Sequence, residues 1–358
     1  MKKAYLILAN GDVYEGRSIG AEGESLGEVV FTTGMGSYME TLTDPSYYGQ
    51  IITQTFPLIG NYGAIPEDRE SARAYCRGYI VRELCRYGSN FRKQGELGDW
   101  LTDHGVVGLE GIDTRRLTRT IRESGVMNGM ITPSTDDMEE KLARIKAFRV
   151  KDATRSTTTK ETYTVGDGKR RIVLVDYGAK YNIDRELAKR GSTVYVVPCT
   201  MTAEEMLALS PDGIMLSNGG GDPAEAKFEI EQIKKLNERR VPMFGICLGH
   251  QLMAIASGAK THKLKYGHRG ANQPVKDLVT GRVYITSQNH GYAVRNRSLP
   301  AGVGKVRYIN ANDKTCEGID YIDRPCFTVQ FHPEAHGGPL DTEFLFDRFI
   351  AMTEERHA

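Results

Sequence analysis

The chain has no excess of charge of either sign: 47 Lys+Arg stand against 46 Asp+Glu, a formal net charge of +1. A balanced chain offers no electrostatic footprint for nucleic acid or an anionic membrane, which leaves small molecules and proteins as the expected partners. Long apolar runs are also missing. Nothing approaches the roughly 20 consecutive apolar residues that cross a bilayer. The apolar start, residues 5–9, is too short for a secretory signal and runs into a turn at Asn10-Gly11. Cysteine is sparse. The six lie at 76, 85, 199, 247, 316 and 326, without the CxxC pairs of a zinc site or the density of a disulfide-stapled secreted domain. These absences lead us to expect a soluble cytoplasmic protein with reduced thiols and no metal.

The chain's 358 residues are enough for two domains, each with its own core. Over 1–150, short β-type runs at 5–8, 28–32, 50–55, 78–84 and 106–109 alternate with Gly, Asn, Asp and Pro turns. Two helices interrupt them: one over 114–124 capped by Asp113, and one ending near 147 capped by Asp136 or Asp137. Residues 151–170 are polar and Thr-rich with little apolar periodicity, and read as a linker. From 171 the pattern changes. RIVLVD at 171–176 is a short continuous apolar run of the kind buried on both faces of a parallel sheet, and the signature recurs at 193–197, 213–217 and 241–246. Helical stretches at 182–190, 202–209 and 224–237 separate the runs. Alternating strands and helices specify an α/β fold over 171–358, a parallel sheet with helices on both faces, preceded by a smaller strand-rich α+β domain.

Ligands of open α/β sheets gather in the loops that leave the carboxyl ends of strands. Two such loops are unusual: SNGGGDP (217–223) and GICLGHQ (245–251). In the second, Cys247 sits at a strand-to-helix turn with Gly245 and Gly249 each two residues away, the spacing of a nucleophile elbow. The following helix adds its positive end, which favours the thiolate. A free cysteine is more often a small buried hydrophobe, and that reading goes to Cys76, Cys85, Cys199, Cys316 and Cys326. A thiolate needs a base, and the base needs an orienting acid. QFHPEA at 330–335 offers His332 at a strand end, with Pro333 preventing a helix so that Glu334 swings back toward the imidazole. His104, His262, His268, His336 and His357 are read as structural or surface residues. His290, in SQNHGY, is the rival base but has no carboxylate near it in sequence. The three glycines of SNGGGDP let backbone amides approach a developing oxyanion.

Taken together, GICLGHQ, SNGGGDP, QNHGY and QFHPE closely resemble the class I (triad) glutamine amidotransferase domain, over roughly 171–358. GEVVFTTGMGSYMETLTDPSYYGQIIT and GLEGIDTRRLTR resemble the domain peculiar to the small subunit of carbamoyl-phosphate synthetase. The resemblance implies hydrolysis of L-glutamine through a glutamyl thioester. The ammonia would pass to a separate large subunit that uses ATP and Mg, in pyrimidine and arginine biosynthesis; no cofactor is implied for this chain. It implies Cys247 as nucleophile, His332 as general base and acid, Glu334 as its orienter, and the amides of Leu248 and Gly219 as the oxyanion hole. Gly34, Gly219, Gly221, Leu248, Gln251, Asn289, Gly291 and Tyr292 would hold the glutamine. The chain departs from the family pattern at Gly220, where proline is usual, and at Gly34, where a serine hydroxyl is usual. The alternatives are the amidotransferase subunit of another synthetase and a non-catalytic regulatory subunit.

Overall fold

The computed structural model describes residues 2–355. The chain divides into two compact units, Met1–Lys151 and Asp152–Ala358.

The first unit contains β1 (Lys3–Leu8), β2 (Val13–Gly20), β3 (Ser25–Thr32), β4 (Gln50–Gln54), β5 (Leu58–Ile59), β6 (Gly78–Val81), β7 (Glu83–Leu84), β8 (Val107–Glu110) and β9 (Met127–Thr132). Its helices are α1 (Tyr38–Thr43), α2 (Leu97–Asp103), α3 (Thr114–Ser124) and α4 (Met138–Ala147). Seven strands close into a barrel in the order β1-β2-β8-β6-β4-β3-β9, and the short β5 and β7 pair separately. Closure leaves none of the seven as an open edge. Strand alternation feeds two clusters. Val29 and Phe31 pack with Leu117 and Ile121 of α3, whereas Val30 and Ile52 pack with Tyr38 and Met39 of α1 and Leu97 and Leu101 of α2. The sequence explains α3 in full: the Asp113 carboxylate accepts from Arg116 N at 2.9 Å, Leu117 and Ile121 share the buried face, and Gly125 ends the helix at φ 93°. At α4 the expected cap is different. Asp137 holds the N-cap position with a left-handed backbone (φ 53°), and its side chain makes no capping bond.

The second unit contains β10 (Tyr163–Val165), β11 (Arg170–Tyr177), β12 (Ser192–Pro198), β13 (Gly213–Gly219), β14 (Met243–Ile246), β15 (Thr261–Asp277), β16 (Val283–Val294), β17 (Gly304–Asn310), β18 (Cys316–Tyr321) and β19 (Cys326–Val329). Its helices are α5 (Ala153–Thr157), α6 (Tyr181–Lys189), α7 (Ala203–Ala208), α8 (Lys227–Glu238), α9 (Leu248–Ala256) and α10 (Phe344–Glu355). One ten-stranded sheet runs β10-β12-β11-β13-β14-β19-β18-β17-β15-β16. Its heart, β12-β11-β13-β14-β19, is parallel, as expected, and the strands from β18 onward extend it antiparallel. Helices cover both faces. Val173, Val175 and Leu216 pack with residues of α7, α8 and α9, while Ile172, Leu174 and Met215 pack with residues of α6 and α10.

The segment read as a linker is folded from Ala153 onward. Its threonines bond to the sheet: Thr157 Oγ1 donates to Tyr177 O at 3.0 Å, Thr159 N to Asp176 Oδ2 at 2.6 Å, and Thr158 Oγ1 accepts from Cys199 N at 2.9 Å. Strand β10 then pairs antiparallel with β12. Among the described residues, no helix is long and apolar enough to cross a membrane.

Candidate active site

Strand β14 ends at Ile246, and the chain turns into α9 through Cys247, whose backbone has φ 52° and ψ −100°. A residue with a Cβ is strained there, at a cost on the order of 1–3 kcal/mol. The surroundings hold it: Cys247 N donates to Val329 O at 2.8 Å, and Gln251 N to Cys247 O at 3.2 Å. Close packing demands the flanking glycines. A Cβ on Gly249 would lie 2.3 Å from Leu216 O, and one on Gly245 2.9 Å from the carbonyl carbon of Gly249.

The register of the parallel strands then brings the second group in. Ile246 pairs with Val329, so β14 and β19 leave the sheet side by side, one toward Cys247 and the other toward His332. Strand β16 ties the two together. Ser287 O accepts from His332 N at 2.9 Å, and Asn289 O, two residues on, lies 3.7 Å from Cys247 Sγ. Cys247, His332 and Glu334 are all buried.

His332 Nδ1 and Glu334 Oε1 are 2.6 Å apart. The carboxylate accepts, so Nδ1 carries a proton, and in the neutral ring Nε2 keeps the lone pair. Nε2 is buried and has no hydrogen-bond partner among the described residues. Burial alone would push the Glu334 carboxyl up, but the charges of His332 and Lys180 and the His332 hydrogen bond outweigh it and hold the pKa at about 2. Sequence reasoning missed Lys180. Its Nζ lies 3.2 Å from Glu334 Oε1 and 3.2 Å from His332 Nδ1, so two N–H donors converge on one carboxylate oxygen. Lys180 N is itself bonded to Asn218 Oδ1 at 3.1 Å, and Asn182 Nδ2 donates to Glu334 O. A signal existed, since both residues follow the β11 run at another carboxyl end of the sheet.

Strand β13 delivers the glycine loop to the same edge. A Cβ on Gly219 would lie 2.3 Å from Tyr177 O and 2.7 Å from Leu248 Cδ2, so Gly219 is packed against the residue that follows Cys247. Gly221 (φ 90°) turns the loop over Ala153. Gln251 is pinned from both sides, its Nε2 donating to Tyr292 O at 2.8 Å and Gln330 Oε1 at 2.9 Å. The structure thus brings together Cys247, Leu248, Gln251, Gly219, Asn289, Tyr292, His332 and Glu334, with Gly291 next along β16 and Gly221 in the β13 loop. Gly34 belongs to the first unit, where its N lies 3.5 Å from Thr32 Oγ1.

The other histidines and cysteines sort themselves by surroundings. His250 is fully buried in α9 with Nδ1 2.8 Å from Thr328 Oγ1, and burial lowers its pKa to about 3. Burial pushes the thiols of Cys76, Cys199 and Cys316 up to about 12 and that of Cys326 up as well, which leaves them protonated and unreactive. His290, set aside for want of a carboxylate, in fact has Glu317 nearby, brought by β18. His357 lies outside the described residues.

The class I glutamine amidotransferase model matches residues 173–352, and the model of the carbamoyl-phosphate synthase small chain domain matches 6–131. A carbamoyl phosphate synthase small chain from Listeria innocua is 51% identical over 98% of this chain and 97% of its own length. One from Bacillus cereus is 51% identical over 98% and 96%, and one from Clostridium perfringens 49% over 97% and 99%. The chain belongs to the carbamoyl phosphate synthase small chain family. The matched spans follow the architecture: the small-chain model covers the second half of β1, all of β2 to β8 and most of β9, and the amidotransferase model holds every residue of the cluster around Cys247. Lys180 and Asn182 fall within that second span.

Proposed function

We propose that this chain hydrolyses L-glutamine to glutamate and ammonia through a Cys247-His332-Glu334 triad. One observation carries the reading: a buried imidazole whose Nδ1 is fixed on a carboxylate leaves a bare Nε2 at the strand end beside the strained cysteine. His332 Nε2 takes the Cys247 proton as sulfur attacks the γ-amide carbon. The C–S bond forms, the C–N bond breaks, and the same proton leaves on the amine as ammonia. Water then attacks the thioester, giving its proton to Nε2. The C–O bond forms and the C–S bond breaks, and the proton returns to sulfur as glutamate departs. The amides of Leu248 and Gly219 stabilise the oxyanion in both steps. Gln251, Asn289, Gly291, Tyr292 and Gly221 line the glutamine site. Glu334 keeps His332 in the productive tautomer, and Lys180 keeps Glu334 ionised.

The family's small-chain designation supports a partner, a separate large subunit that consumes the ammonia with ATP, Mg and bicarbonate to make carbamoyl phosphate for pyrimidine and arginine synthesis. The test is Cys247→Ser. A hydroxyl is scarcely ionised at neutral pH, so glutaminase activity should fall by at least ~10³-fold while partner binding and circular dichroism hold. Full glutamine turnover by the variant would refute the assignment.

A further inference from the structure

Beside the strand that carries Asn289 and Gly291, three ligating side chains converge that the triad does not use. His268 and His290 are register partners across β15 and β16, and Glu317 comes from β18. One ligand atom from each lies within 4.8 Å of the others. The two rings stand edge to face, centroids 4.9 Å apart and planes at 89°.

The outward side of each ring fixes what the inward side can do. His290 Nδ1 lies 2.7 Å from Tyr292 O, which can only accept, so Nδ1 holds the proton and Nε2 of the neutral ring holds a lone pair. That lone pair faces Gln288 Oε1, another acceptor, at 3.1 Å, because Gln288 Nε2 is engaged by Glu317 Oε2 at 3.0 Å and Thr286 Oγ1 at 3.2 Å. His268 Nε2 lies 2.8 Å from Asp313 Oδ2 and donates to it, which turns Nδ1 inward. There Nδ1 and Glu317 Oε1 face each other at 3.4 Å as a loose ion pair, and neither buried atom has a closer partner among the described residues. Two imidazole nitrogens and a carboxylate oxygen thus point at one another away from water. That arrangement is costly unless a cation lies among them.

We propose that His268 Nδ1, His290 Nε2 and Glu317 Oε1 are the ligands of a Zn²⁺-type divalent transition ion. Two imidazoles and one carboxylate suit such an ion and disfavour Mg²⁺ or Ca²⁺. Each ring donates its other N–H to an outer acceptor, the Asp313 carboxylate or the Tyr292 carbonyl, as metal-bound histidines do. Gln288 Oε1 is the protein oxygen available for a fourth position. The competitor is a proton. Because Asp313 and Glu317 flank the ring, a proton on His268 Nδ1 holds the same place, and metal entry displaces it. The ion would lock β15, β16 and β18 together beside the glutamine strand.

Co²⁺ is the probe, because its visible spectrum reports its ligands. The metal-stripped full chain should bind one equivalent, showing ligand-field bands without sulfur-to-cobalt charge transfer, and Zn²⁺ should displace it and raise Tm. Glu317→Gln should abolish uptake. Because a buried substitution can itself disturb folding, Asp313→Asn is the second variant: its carboxylate is 48% exposed, and its loss should weaken Co²⁺ binding by about 10- to 100-fold at unchanged circular dichroism. Substoichiometric uptake, charge-transfer bands that vanish in Cys247→Ser, or equal affinity in wild type and Asp313→Asn would each overturn the site and leave a protonated histidine between two carboxylates.

Discussion

Both units bury carboxylates, yet Glu110 and Asp68 in the first are handled differently from Glu334 in the second. In the barrel, Glu110 is 1% exposed and reaches outward to two half-exposed arginines, Arg17 at 3.3 Å and Arg86, while its second oxygen accepts from Leu84 N at 3.1 Å. Asp68 likewise meets the Arg92 fork at 2.8 and 2.9 Å. Each buried acid is anchored to a cation that water can reach, so the pairing serves the fold. In the open sheet, Glu334 faces a buried imidazole and a buried ammonium, and unsatisfied lone pairs remain on His332 and on Glu334 itself. A parallel sheet with crossover helices gathers several strand ends at one edge, and that is where Glu334, His332 and Lys180 meet. Buried charge becomes chemistry in the unit that leaves an atom free to react.

The sharpest way to break this contrast is to remove one charged group from each unit. His332→Asn should lower glutamine turnover by about 10²- to 10⁴-fold, the range of a general base, with little change in Tm. Glu110→Gln should do the reverse, costing about 1–3 kcal/mol of stability by leaving Leu84 N poorly satisfied, with turnover per folded molecule unchanged. Paired denaturation curves and steady-state assays would show it. Equal effects on activity from both would erase the distinction.

A smaller effect separates the cations. Lys180→Met removes the ammonium that keeps Glu334 ionised, so kcat should fall ~10- to 100-fold and the acid limb of the pH profile should move to higher pH. Arg86→Met, at a pair open to water, should cost at most about 1 kcal/mol and leave the profile in place. An acid limb that stays put in Lys180→Met would contradict the role given to Lys180.

The smallest effect is on stability against pH. The Glu334 carboxyl titrates at about 2 in the folded chain against an ordinary 4.5, so its stabilising contribution is complete above pH 4.5 and is lost as pH falls toward 2. Urea unfolding of wild type and Glu334→Gln should therefore differ by a margin, on the order of a few kcal/mol at most, that shrinks across that window. A margin independent of pH would show that the carboxylate is not held down by its neighbours.

Much of this was legible where the signal is local. RIVLVD, the glycine spacing around Cys247 and the Asp113-capped helix depend on neighbours in sequence, and all three appear as expected. Legibility failed where pairing is distant. Barrel closure rests on β9 pairing with both β1 and β3, which no local pattern announces. Strand β15 spans 17 residues, but register shifts between Lys263 and His268 and between Gly270 and Gln273 break its period of two. The Thr-rich stretch looked like a linker because its hydroxyls, not apolar side chains, dock it on the sheet. Lys180 escaped notice because its partners lie 152 and 154 positions further along, at His332 and Glu334. The separation of 27 positions from His290 to Glu317 concealed that pair in the same way, since only the sheet order brings them together.

The central claim is that sulfur at position 247 forms a covalent bond with the γ-carbonyl of glutamine. Acid quench of the full chain during turnover of labelled glutamine, followed by peptide mass spectrometry, tests it directly. The account predicts a γ-glutamyl group on Cys247, base-labile and absent in Cys247→Ser. Label on any other cysteine, or steady turnover with acylation excluded at position 247, would contradict it.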